Sequence, residues 1–195
     1  MSSSDSDLKE IARSFLDALD EGRWGDAAAL VAPSTVDAFR EGWLAWLRYE
    51  DSRPTASPGP PVETIFANPV SLLNLRSASE AERLSPPDLL ARYIERMQPG
   101  NFPIPAGPES GPSLRVVRTL VGVTRTGEGK AVAEYRVTWV DVGHSEPLPG
   151  GVHRMHLAMT PDGWRVTDAD VGGHGTGHLD PRMRHDPPGE PLDQG

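Results

Sequence analysis

The stretch that most constrains the fold lies near the C-terminus: Val152-His-Arg-Met-His-Leu-Ala-Met-Thr160, a turn at Pro161-Asp-Gly163, then Trp164-Arg-Val-Thr-Asp-Ala-Asp-Val171. Successive side chains of a strand point to opposite faces, so period-two alternation reads as a β-hairpin with one apolar face. On the first strand that face holds His153, Met155, Leu157 and Met159. On the second, Trp164 and Val166 lead to Asp168 and Asp170, so the face turns polar at one end. Pairing Met159 with Trp164 sets apolar against apolar. Antiparallel counting then sets Leu157 opposite Val166, Met155 opposite Asp168 and His153 opposite Asp170. A slip after Thr167 is the alternative, turning Ala169 and Val171 inward and both aspartates outward.

Two further strands are expected at 114–125 and 131–141, joined through Gly127-Glu-Gly129. On the second, Ala133, Tyr135, Val137, Trp139 and Asp141 share a face. Helices come earlier. Leu8, Ile11, Ala12, Phe15, Leu16 and Leu19 form one helical stripe, with Asp7 and Glu10 placed as a capping box. A short helix is expected over Asp26–Val31, closed by Pro33, and a third from Ser34 or Thr35 to about Tyr49. Residues 51–61 and 99–113 are Pro-rich loops, and 62–75 fits either strands or short helical pieces. Ser85-Pro86-Pro87-Asp88 starts a helix with a cap, a proline in the first turn and an acid at the third position. Helices followed by an antiparallel sheet give an α+β fold.

The formal net charge of −9 opposes binding to phosphate backbones or anionic membranes, and the 19 Lys and Arg form no dense run. There is no cysteine, which excludes disulfides, thiolate nucleophiles and Cys-ligated metals. The opening Met1-Ser-Ser-Ser-Asp-Ser-Asp7 lacks the basic and apolar regions of a signal peptide. A cytoplasmic protein with no membrane or nucleic-acid partner is expected. Lysine occurs only at positions 9 and 130, an arginine-for-lysine bias associated with GC-rich bacterial genomes. The expected organisation is a polar tail at 1–6, one domain at 7–171 and a Gly-, His- and Pro-rich disordered tail at 172–195, too poor in apolar residues to offset its ordering entropy.

Leu8–Leu19, then Asp20-Glu-Gly-Arg-Trp24 and Asp26-Ala-Ala-Ala-Leu-Val31, with the closing Asp162-Gly-Trp-Arg-Val166, resembles the NTF2-like superfamily (ketosteroid isomerases, SnoaL-type polyketide cyclases). The resemblance implies helices wrapped by a curved antiparallel sheet, a pocket at the open end of the cone, and homodimers. It does not imply one activity, because the fold hosts enzymes, binding modules and transport factors. No catalytic residue of those enzymes carries over to a matching position here.

On the straight register Asp141, His153, Asp168 and Asp170 gather at one rim. A histidine beside carboxylates in a partly buried mouth is the arrangement of a general base with an orienting acid, and the same groups suit a divalent metal; the bland alternative is a set of solvated strand ends. Tyr93, Tyr135, Trp43 and Trp139 are the expected pocket-lining residues, with plain core packing as the competing reading. His174 and His178 have i, i+4 spacing, but the intervening glycines prevent a helix, and with His185 they read as part of the tail. No metal or cofactor is assigned. The leading expectation is a pocket that binds a small apolar molecule or a protein partner. An acid–base lyase, isomerase or hydrolase acting on a small apolar substrate is one alternative, and a structural dimerisation module is the other.

Overall fold

Leu8, Ala12, Phe15, Leu16 and Leu19 recur at helical spacing, and all five are buried on one face of the first helix. The computed structural model describes residues 5–52, 73, 75, 78–98, 114–141, 146–172, 178 and 179. Within these, α1 (Asp5–Asp20), α2 (Trp24–Ala29), α3 (Pro33–Ser52), α4 (Ala78–Arg83) and α5 (Pro86–Arg96) precede β1 (Leu114–Gly127), β2 (Lys130–Asp141), β3 (Leu148–Thr160) and β4 (Gly163–Ala169). The chain is therefore α+β, with an antiparallel sheet in the order β1-β2-β3-β4. Of the expected loop at 51–61, residues 51 and 52 end α3, and of the expected tail at 1–6, Asp5 and Ser6 open α1; the rest of both, the loop at 99–113 and most of 62–75 lie outside the described residues.

Helix ends differ in detail from the sequence reading. Asp7 is not a cap, because α1 already starts at Asp5; both acids sit in the first turn, where the helix dipole favours negative charge. Pro33 does not close α2. It opens α3, where its missing N–H is no loss. Ser85 caps α5 as its sequence suggests, its Oγ accepting the Asp88 N–H at 3.3 Å. Helix α4 follows the ambiguous stretch 62–75 and was not expected from the sequence, and Leu73 and Leu75 just before it are buried in the core.

Arg125 on β1 reaches across to the Trp164 ring on β4, its Cζ 5.5 Å from the ring centroid. Residues 30–32 cover the outer edge of β4, with the Ala32 N–H bonded to Val166 O at 2.8 Å and the Val166 N–H to Leu30 O at 3.0 Å. The inner face packs Ala133, Tyr135, Val137, Met155, Leu157 and Val166 against α1 and α3 side chains such as Phe15 and Phe39, all in one cluster. Leu157→Ala is expected to cost about 2–5 kcal/mol from lost transfer energy and a cavity. Denaturant unfolding checks this, and a loss under ~0.5 kcal/mol would mean that the face is not core.

The polar composition of 172–195 suggested that the domain ends at Val171. Gly172 and Leu179 are instead buried, and Leu179 is 0% exposed within the core cluster. One large apolar side chain in a polar stretch suffices to dock it, because burying a leucine is worth roughly 1.5–3 kcal/mol. The remainder of the expected tail, 173–177 and 180–195, lies outside the described residues.

Candidate functional site

The β3–β4 register begins as counted, with Met159 opposite Trp164 and Leu157 opposite Val166, across a turn at Pro161-Asp162. It then shifts. Thr167 is an extra residue, so His156 faces Asp168 and Met155 faces Ala169. The straight-register pairs Met155–Asp168 and His153–Asp170 are therefore not formed; the ladder slips at Thr167 and Ala169 and Val171 are buried, but the aspartates are not turned out into water, since Asp168 is 7% and Asp170 2% exposed. Burial of the two apolar side chains favours the slip. Thr167 anchors the bulge, its hydroxyl donating to His156 O at 3.2 Å.

The two aspartates reach histidines by another route. β4 ends at Ala169, so beyond Met155 the edge of β3 has no strand partner among the described residues. Asp170 has left the ladder there, and its Oδ2 lies 3.1 Å from His153 Nδ1. Its Oδ1 accepts the Gly172 N–H at 3.2 Å, and its carbonyl accepts the Tyr135 hydroxyl at 2.9 Å. Tyr135 also stacks on the His153 ring, with centroids 5.7 Å apart. Asp168 makes a second pair. Its Oδ2 lies 3.1 Å from His178 Nδ1 and its Oδ1 accepts the Leu179 N–H at 3.0 Å. Side-chain exposure is 3% for Asp170 and 15% for His153, so the first pair is nearly dry.

Both pairs open on one pocket of about 450 Å³. Its wall also carries Val152, Arg154 and His156, alternate residues on the outer face of β3, and Glu134, which faces Arg154 across the ladder and meets it at 3.3 Å. Asp168 likewise faces His156. The pocket thus lies at the edge and outer face of the sheet, not on its inner face.

His153 has an acceptor beside each nitrogen, Asp170 Oδ2 at Nδ1 and Gly150 O 3.0 Å from Nε2, and a neutral ring donates to one of them at a time. The contact at Nε2 depends on glycine: a Cβ at residue 150 would collide with the Trp139 indole and Val137 Cγ1, and Gly151 next to it has φ +93°. Gly150→Ala should therefore cost ~1–3 kcal/mol by overpacking and should displace the His153 ring. Thermal unfolding checks the first effect, and the His153 imidazole resonances check the second.

Asp141 is not part of this site. β3 begins at Leu148, so His153 sits well inside its strand, opposite Tyr135. Asp141 lies six residues further along β2, opposite Leu114 and roughly 20 Å away at ~3.3 Å per residue. Tyr93, Tyr135 and Trp43 are buried in the core and Trp139 packs against it; none of the four borders the pocket at the β3 edge. Tyr93 and Trp43 belong to an aromatic cluster with Phe39 and Trp46. Among the described residues no group of three or more His, Asp or Glu is arranged to hold a metal ion. His144, His174 and His185 lie outside them.

Burial pushes the Tyr135 phenol well above its ordinary value of 10, and the Asp170 charge adds to the shift. The hydroxyl is therefore a hydrogen-bond donor at neutral pH. Because the folded value is raised, the stabilisation is complete below about pH 10 and is lost as the pH climbs through the folded value. Wild type should lose more stability above pH 10 than Tyr135→Phe. Parallel urea titrations at pH 8 and pH 11 read that difference, and equal losses would show that the phenol is not buried against Asp170.

Comparison with protein-family models, curated protein sequences and solved structures finds no match for this chain.

Proposed function

We propose that the chain is an NTF2-like domain that binds a small molecule in the pocket at the β3 edge. The observation that carries the binding reading is the convergence of two carboxylate-backed histidines, His153–Asp170 and His178–Asp168, on one pocket. Fixed polar groups beside an apolar patch are what an orienting small-molecule site needs, and Val152, 59% exposed, supplies the patch. The NTF2-like part rests on the order of elements: an amphipathic α1, an acidic-Gly turn, a small α2, and an antiparallel sheet after the helices. The inner face is filled by side chains, so the ligand in this reading meets the outer face and edge instead. The ligand class is a small molecule with hydrogen-bonding groups for the imidazoles and an apolar part for Val152.

A fragment library screened by amide NMR tests the reading. Binders should shift the amides of Val152, Arg154 and His156, and His156→Ala should weaken them about tenfold. Binders that perturb only other surfaces, or that ignore His156→Ala, would remove the pocket from the account.

General acid–base catalysis is the second reading, favoured by the 3.1 Å contact between His153 Nδ1 and the Asp170 carboxylate. In it Asp170 orients the ring and a substrate takes Nε2 from Gly150 O. With the proton on Nδ1, Nε2 is the basic nitrogen, and Gly150 O, 3.0 Å away, stands where a substrate would have to approach it.

A further inference from the structure

The stretch that docks by Leu179 also forms part of the pocket wall. His178 borders the pocket, and its backbone bridges Asp170, the acid of the other pair. Three kinds of anchor hold it. The Leu179 side chain enters the core. Asp168 accepts the Leu179 N–H on one oxygen and contacts His178 Nδ1 with the other. Tyr93 donates its hydroxyl to His178 O at 3.4 Å. With these contacts in place the Asp168 and Asp170 side chains are only 10% and 3% exposed, although both belong to a pocket wall. The segment thus takes both carboxylate oxygens of Asp168 and lies beside Asp170 through the backbone bridge.

We propose that His178-Leu179 is a strap that closes over the His153–Asp170 pair, and that its release opens this pair to the small molecule bound by the pocket. The proposal rests on the pocket reading and adds its regulation. In the strapped state a ligand meets Val152, Arg154 and His156 on the outer face. In the released state it also reaches Asp170 and His153. A site competent only in the released state binds with an affinity reduced by the fraction of molecules released, so whatever loosens the strap strengthens binding.

Histidine acylation by diethyl pyrocarbonate, followed residue by residue by mass spectrometry on the full chain, tests this. His156, on the exposed outer face, serves as the internal reference. In wild type, His153 should react at least tenfold more slowly than His156. In Leu179→Ser, which removes the core anchor without touching the pocket wall, the rates at His178 and His153 should both rise several-fold while that of His156 stays constant. Circular dichroism shows whether this variant keeps its fold. If it does not, Asp168→Asn, which keeps the side-chain shape and weakens the His178 contact, should raise the same two rates to a smaller extent. A faster His178 with an unchanged His153 would overturn the proposal, because the strap would then leave without uncovering the pair. Unchanged rates at both residues in a folded variant would overturn it too. Failure of the pocket reading has a different signature: no fragment would shift the amides of Val152–His156 in either wild type or Leu179→Ser.

Discussion

Asp20→Ala should destabilise the protein by ~3–5 kcal/mol, because it strands a buried guanidinium. Arg118 on β1 has only 1% of its side chain exposed and meets Asp20 Oδ1 at 2.7 Å, while the other Asp20 oxygen accepts the Arg118 backbone N–H at 2.8 Å. Its remaining bonds go to Gln98 Oε1 at 2.9 Å and Val171 O at 2.8 Å. One side chain thus joins the end of α1, the end of α5, β1 and the exit of β4. Removing one partner of such a pair leaves an uncompensated charge, whereas exchanging both for apolar residues of similar volume is often close to neutral. At ~2–4 °C per kcal/mol for a domain of this size, the single change should lower the melting temperature by roughly 6–20 °C. Arg118→Met combined with Asp20→Leu should recover much of that loss. Calorimetry on the three proteins decides it, and a shift under ~2 °C for Asp20→Ala would show the pair to be solvated.

Deleting 178–195 should also be costly. Loss of the Leu179 side chain alone should remove about 2–5 kcal/mol, as for other leucines truncated in a core, and the deletion adds the contacts to Asp168. The contrast with a polar, dispensable tail is direct: trimming 181–195 should leave the melting temperature within a few degrees, while deleting 178–195 should lower it by roughly 5–15 °C. Equal midpoints for the two truncations would place the domain boundary back at Val171.

The legible parts of this chain were those governed by periodicity. The stripe of α1, the Ser85 cap, the four strands and the Met159–Trp164 pairing all follow from local pattern. What failed was what a distant partner decides. Thr167 has no local signature of a bulge; it is an extra residue because burial of Ala169 and Val171 outweighs straight pairing. That one-residue shift broke the expected His153–Asp170 register pair, and the contact survives only because Asp170 turns out of the ladder. Asp141 was misplaced because the start of β3 was read at Val152, past the Pro-Gly segment that in fact begins the strand. His178 was read as tail because glycines surround it, although Leu179 beside it was the available signal. His156 and Arg154 were visible as outward residues of a strand, but nothing in their spacing marks them as a pocket wall.

The binding proposal stands on two carboxylate-backed histidines, and the imidazole nitrogens report on them directly. Long-range ¹H–¹⁵N spectra of histidine-labelled protein at neutral pH should show His153 and His178 each carrying a fixed proton on Nδ1, held by Asp170 and Asp168, and Asp170→Asn should free the His153 proton and Asp168→Asn the His178 proton. Rings at 153 and 178 that both give the fast tautomeric average of a solvated histidine, insensitive to either substitution, would contradict the site.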